Sequence, residues 1–326
     1  MTGTTLAQLS SLAVYSAMGV LTLAMVMYSV YLARIAPTRT NSRVADDREL
    51  VAVGGAEVPA ATNGPGLAAV DAEPVSMGAR RAGGIAWMLT LLGTLLTVAG
   101  VVLRGLEVRR WPLGNMYEFA IVGCMLTLLT YVAWASRRDL RWLGLFVVGP
   151  VLLTLGLAVT AWYTDGSELM PSLRSIWLAI HVSVATLSVA LFTIGFSLAI
   201  IYLIQARLEA ADPRPASFMD RLPDSRALER LTYSIHVVAF PLWTFTLIAG
   251  AIWARQAWGA YWSWDPKEVW TFVIWTVYAG YLHARATTGV RRQSVAWIAL
   301  AGFGCIIFNY TVVNMFLVGM HSYSGL

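Results

Sequence analysis

The residues in this chain that could do chemistry are four histidines and one aromatic stretch. The histidines are His181, His236, His283 and His321. The stretch runs from Trp258 to Trp270 and holds Trp258, Tyr261, Trp262, Trp264 and Trp270, together with Asp265, Pro266, Lys267 and Glu268. Lys267 is the only lysine in 326 residues. Tryptophan and tyrosine offer broad apolar faces with a polar edge. In a membrane protein such a cluster is either an interfacial anchor or a platform for a flat ligand. Imidazole serves as a hydrogen-bonded core group, a proton carrier or a metal ligand. Two imidazoles on separate helices suit the axial positions of a haem iron, approached from opposite faces. Nearby arginine and lysine then suit its carboxylates.

The elements that must position these groups are membrane helices. The chain is 58% hydrophobic and only 13% charged, with mean hydropathy +0.64. Repeated apolar runs of about 20 residues each match the hydrocarbon thickness when helical. The fold class expected is all-α, a polytopic integral membrane protein with about eight transmembrane helices. The spans read as 10–33, 82–103, 117–135, 142–162, 174–206, 233–254, 269–286 and 294–318. No cleavable signal is evident, since no basic residue precedes the first run. With the N-terminus outside, inner segments hold seventeen arginines and outer segments six cations. That asymmetry predicts N-out and C-out. It puts the tryptophan-rich loop, 255–270, at the outer face with His181 and His321. His236 and His283 fall near the inner face. Histidines split between two levels supply neither three nor four ligands at one point, which disfavours zinc. The net charge of +5 is no nucleic-acid signal, because the arginines punctuate spans.

Three divisions are expected. Residues 1–35 form a first helix. Residues 36–81, rich in Ala, Gly, Val and Pro, form a disordered cytoplasmic linker, leaving that first helix loosely attached. Residues 82–326 form the main membrane domain. Residues 213–232 read as an interfacial segment with alternating leucines and charges. Asp265 is placed to N-cap the helix that follows, with Pro266 at its first position and Glu268 completing a capping box. Glu118 is expected to pair with Arg104, Arg109 or Arg110, either as a structural ion pair or to orient arginines toward a ligand's carboxylates. Cys124 and Cys305 lie in apolar runs without a C-x-x-C pattern, so the chain is neither a c-type cytochrome nor a dithiol oxidoreductase.

Trp258, Gly259, Trp262, Trp264 and Asp265 through Glu268 resemble the tryptophan-rich "WWD" motif of haem-handling proteins. Phe240-Pro241 before it, Tyr281 to Arg285 after it, and Val313-Asn314 through Gly319, His321 and Tyr323 narrow the resemblance to the CcsA/ResC family of cytochrome c biogenesis proteins, called CcsB in actinobacteria. The match is dense over 171–326 and weaker over 82–135. The resemblance implies a haem-handling subunit of the System II cytochrome c synthase in the plasma membrane. His181 and His321 match external axial ligands of haem iron. His283 matches an in-membrane histidine on the route of haem. Trp258, Trp262, Trp264, Asp265 and Trp270 match the motif and its flank. Arg109, Arg110, Glu118, Arg174 and Lys267 remain candidates for the propionates or for supporting them. His236 departs from the family pattern and is either a second inner ligand or a packing residue, with packing favoured. The substrate implied is haem b, attached through thioether bonds to a CxxCH apocytochrome c, with a ResB-type membrane partner. Such a chain is a subunit of a lyase-type synthase and is not active alone. Two other readings stay open: a transporter or proton pathway with an interfacial tryptophan anchor, or a haem-delivery protein of another maturation system.

Overall fold

The computed structural model describes residues 3–35, 76–213 and 217–321. Among them every regular element is helical. Eight long helices follow in order: α1 (Gly3–Ile35), α2 (Met77–Val108), α3 (Met116–Ala135), α4 (Gly144–Thr160), α5 (Ile176–Glu209), α6 (Ser225–Trp258), α7 (Pro266–Ala286) and α8 (Arg292–Phe308). A π-turn, Asn309–Val313, continues α8. The protein is an all-α, polytopic membrane protein. Seven helical stretches, one around each long helix other than α7, are long and apolar enough to cross a bilayer. Aromatics and threonines dominate the middle of α7, lowering its apolarity. Its 21 residues still span about 32 Å.

The expected linker, 36–81, lies outside the described residues as far as residue 75. From Ser76 onward it is helix, because Ser76 accepts the Ala79 N–H and caps α2. Residues 225–232, expected to lie along the interface, are instead the first turns of α6. Asp224 caps that helix through the Ala227 N–H.

The first helix is not loosely attached. One face of α2 is a seam of small buried residues: Ala79, Ala82, Gly83, Ala86, Gly93 and Gly100. Side chains of α1 press into it, with Val14 at Gly100, Leu21 at Gly93 and Tyr31 at Gly83. The residue numbers of each pair sum to a constant, so α1 and α2 run antiparallel. Small residues let helix backbones approach where lipid offers no hydrophobic drive to associate. Further in, Tyr28 of α1 lies against Gly144. Its hydroxyl meets those of Thr90 and Tyr131 at 3.2 and 3.3 Å. Such hydroxyls need partners inside a bilayer, and here three helices satisfy one another.

Helices α5 and α6 form a second antiparallel pair. Two histidines mark it. The ring of His181 on α5 sits over Gly250 of α6, and the ring of His236 on α6 sits over Gly195 of α5. The two contacts are fourteen residues apart on each helix, or about 21 Å. Helices α7 and α8 complete the bundle, with Phe192, Tyr278 and Tyr281 in the core between them and the α5–α6 pair.

Candidate functional site

The tryptophan stretch is built from caps. Helix α6 runs through Trp258 and stops at Gly259, whose φ of 83° is the left-handed geometry glycine accepts without cost. The loop proper is therefore only Gly259 to Asp265, since Trp258 and Trp270 are helical. Asp265 accepts the Lys267 N–H at 2.9 Å and caps α7. Glu268 reaches back to the N–H groups of Ser263 and Asp265 at 2.8 and 3.2 Å, which closes the expected capping box. Between those two anchored residues stands Trp264, with φ of 61°. A bulky residue in that region is strained by about 1–3 kcal/mol. Its ring is 77% exposed and rests edge-on against Trp262 at 5.8 Å.

Asp265 does more than cap a helix. Its second oxygen accepts the Met320 N–H, and Oδ1 accepts from His321 Nδ1 at 2.8 Å. The carboxylate fits there because residue 319 is glycine: a Cβ at Gly319 would stand 2.2 Å from Asp265 Oδ2. Burial disfavours the charged carboxylate. The hydrogen bond and charge of His321, with the Lys267 and Met320 amides, outweigh that and hold Asp265 at about 2. With Nδ1 donating to Asp265, the lone pair of neutral His321 lies on Nε2, the arrangement that second-shell carboxylates impose on ligating histidines. Trp258 packs edge-on against the His321 ring at 4.7 Å.

His181 approaches from α5. Ser175 caps that helix, so His181 stands one turn inside. Trp253 lies edge-on to it at 5.7 Å. Its Nδ1 is buried without a hydrogen-bond partner among the described residues. Both histidines line a cavity of about 610 Å³. Trp162, Trp253, Trp258 and Trp262 supply much of its wall, with Lys267 and Asn314 at one side. The lining extends along α5 as far as Phe196 and includes Gly123 and Thr127 of α3. Volume and lining match an apolar small-molecule site with few polar groups.

One end of the cavity is tied by the π-turn after α8. It presents the Tyr310 hydroxyl to the Met116 carbonyl at 2.5 Å. It also turns the Asn309 carbonyl and the Asn314 side chain toward Lys267 Nζ, at 3.1 and 2.7 Å. π-Turns inside helices occur often at functional sites.

The family model for cytochrome C assembly protein matches residues 113–321. The cytochrome c biogenesis protein CcsA of Parasynechococcus marenigrum is 34% identical over 272 residues, covering 74% of this chain and 86% of the relative. CcsA of Guillardia theta is 34% identical over 263 residues, covering 73% and 84%. CcsA of Prochlorococcus marinus is 33% identical over 283 residues, covering 77% and 89%. Among solved structures, the cytochrome c haem lyase CcmF shares the fold, with a TM-score of 0.57 at 16% identity. The alignment covers all of this chain and half of that longer one.

The chain belongs to the cytochrome c assembly protein family. In this cytochrome c assembly protein the cavity gathers His181, His321, Trp258, Trp262, Asp265 and Lys267, either in its wall or hydrogen-bonded to it. It does not gather the rest of the expected set. Trp264 points outward. Trp270 packs on Phe308 at 4.2 Å and does not line the cavity. His283 is exposed in the last turn of α7, about 24 Å from Lys267. Glu118 is a hub: Arg104 Nε donates to it at 3.1 Å, Arg110 at 2.6 Å and the Gly114 amide at 2.7 Å. With Glu118 and Arg104 both buried, these arginines serve an internal network, and burying such charges demands that pairing. Arg109 is exposed, and Arg174 pairs with exposed Glu168 at 2.7 Å.

His236 packs, as expected. It is 1% exposed, donates Nδ1–H to the Thr232 carbonyl at 2.7 Å, and lies among Phe192, Tyr278 and Tyr281. Sequence reasoning missed Trp253, Tyr310 and Gly250. Nothing in an apolar run distinguishes a wall residue from any other. The role of Asn314 was also hidden, because the π-turn that aims it has no sequence signature.

Proposed function

We propose that this chain is the haem-handling subunit of a cytochrome c synthase. It holds haem b in the cavity lined by His181 and His321 and presents it to a CxxCH apocytochrome. The observation that carries this reading is that both histidines line one tryptophan-walled cavity, with His321 fixed by Asp265. Family membership and relatives named for cytochrome c biogenesis support it. The excess of arginines at the opposite end of the bundle supports a cavity at the outer face of the plasma membrane. It also favours an even number of crossings, eight, with both termini outside.

Haem supplies the iron, the two vinyl groups that react and two propionates. The chain's own residues do the rest. His181 and His321 would hold the iron, and the tryptophans of the wall would exclude water. Each apocytochrome thiol adds across a vinyl double bond: a C–S bond forms, the thiol proton passes to the neighbouring carbon, and nothing is oxidised or lost. The incoming histidine of CxxCH displaces one axial ligand.

The chain has no dithiol and little outer polypeptide to grip a client, so a ResB-type membrane partner is part of the proposal. His283, exposed at the inner end of α7, is available to such a partner or to incoming haem. The test is covalent haem on a CxxCH reporter cytochrome, produced with the partner. Maturation is expected with the wild-type pair, and a loss of at least tenfold with His321→Ala or with either protein alone. Full maturation by the partner without this chain would contradict the proposal.

A further inference from the structure

We propose that Lys267 is the carboxylate anchor of the cavity, so that the site selects an anionic flat ligand over a neutral one of the same shape. This rests on the haem reading above and deepens it. Among the described residues lining the cavity, Lys267 and Glu268 are the only ones of Lys, Arg, Asp or Glu type. The Glu268 carboxylate is spent on the amides of Ser263 and Asp265. Lys267 Nζ has three protons to donate. Two go to neutral oxygens, the Asn309 carbonyl at 3.1 Å and Asn314 Oδ1 at 2.7 Å.

No carboxylate hydrogen-bonds Lys267 among the described residues, although the Asp265 charge acts on it from nearby. The nearest acid in sequence, Asp265, is committed to Met320 and His321. Burial works against the ammonium form of Lys267 and the Asp265 charge only partly offsets that, so a ligand carboxylate that pairs with Nζ stabilises the charged form. Three arginines that might have competed for a ligand's carboxylate are already taken, Arg104 and Arg110 by Glu118 and Arg174 by Glu168, and Arg109 is exposed and does not line the cavity. The two asparagines hold the lysine head in place before any ligand arrives. A positioned charge loses less side-chain freedom on binding than a mobile one.

The experiment titrates the detergent-solubilised full chain, stripped of haem, with haem b and with its dimethyl ester. The ester keeps iron, vinyls and shape and removes both negative charges. Absorption at the Soret band reports both affinity and ligation. The wild type is expected to bind the diacid at least tenfold more tightly than the ester, the range of a charge-assisted hydrogen bond. Lys267→Met is expected to bind both alike with an unchanged low-spin spectrum, and Lys267→Arg to keep part of the preference. Asn314→Asp offers the lysine an internal partner and is expected to abolish the preference with Lys267 in place, so the idea survives a misfolded Lys267→Met. Equal binding of diacid and ester by a wild type with a normal low-spin spectrum would overturn the assignment and leave the haem reading standing. A preference that persists in both Lys267→Met and Asn314→Asp would overturn it too. A wild type that gives no low-spin spectrum with either compound would instead remove the haem reading.

Discussion

Asp265 concentrates three duties in one carboxylate: it caps α7, holds the Met320 amide and orients His321. The three respond differently to substitution. Asp265→Asn keeps the shape and one acceptor but loses the charge, so α7 stays capped while His321 is freed. Asp265→Ala loses all three, at a cost of about 3 kcal/mol for a cap and a charge-assisted bond. Thermal unfolding in detergent is expected to rank the variants wild type, Asn, Ala. The depressed pKa gives a second check. A carboxylate held at about 2 contributes stability above its unfolded value, near 4. That contribution is lost as pH falls toward 2. The melting temperature of the wild type is therefore expected to fall between pH 5 and pH 3 by more than that of Asp265→Asn. Equal falls would remove Asp265 from the account. Trp264 offers a third comparison. Its left-handed backbone suits glycine, so Trp264→Gly is expected to leave stability unchanged or raise it by up to about 1 kcal/mol.

At the scale of elements, the α5–α6 pair makes the same contact twice with different consequences. A histidine sits on a glycine at each level, with space for no Cβ at either. Gly250→Val is expected to drive His181 from its position and abolish low-spin haem, as His181→Ala would. Gly195→Val disturbs only His236 and its aromatic neighbours. It is expected to cost about 1–3 kcal/mol from overpacking and leave the haem spectrum intact. A haem spectrum lost in Gly195→Val and kept in Gly250→Val would reverse the roles given to the two histidines. The sequence made the helices legible, because apolar runs and the Asp265, Pro266 and Glu268 cap are local signals. It did not show which face of each helix met which neighbour. The small-residue seam of α2 could have been read, since Ala79, Ala82, Gly83, Ala86, Gly93 and Gly100 recur at helical spacing. That seam is why α1 is firmly packed and not loosely attached.

Across the whole molecule, the cavity joins residues far apart in the chain, Leu113 to His321. Its two histidines were legible as ligand candidates from residue type and span parity, and the motif gave Trp258, Trp262 and Asp265. Other expected members do not line the cavity, for physical reasons. Arg110 and Glu118 satisfied each other inside an ion network, Trp270 found a ring partner in Phe308, and Trp264 turned outward. The walls contributed by Trp253 and Tyr310 came from packing among distant helices, which local pattern does not encode. The measurement that bears most directly on the central claim is the reduced-minus-oxidised absorption spectrum of the protein purified from haem-replete cells. It is read for the wild type, His181→Ala, His321→Ala and, as control, His236→Ala. A low-spin bis-histidine spectrum in the wild type and the control, lost in the other two, is the predicted result. Retention of that spectrum in both His181→Ala and His321→Ala, or no haem in the wild type with its partner present, would contradict the account.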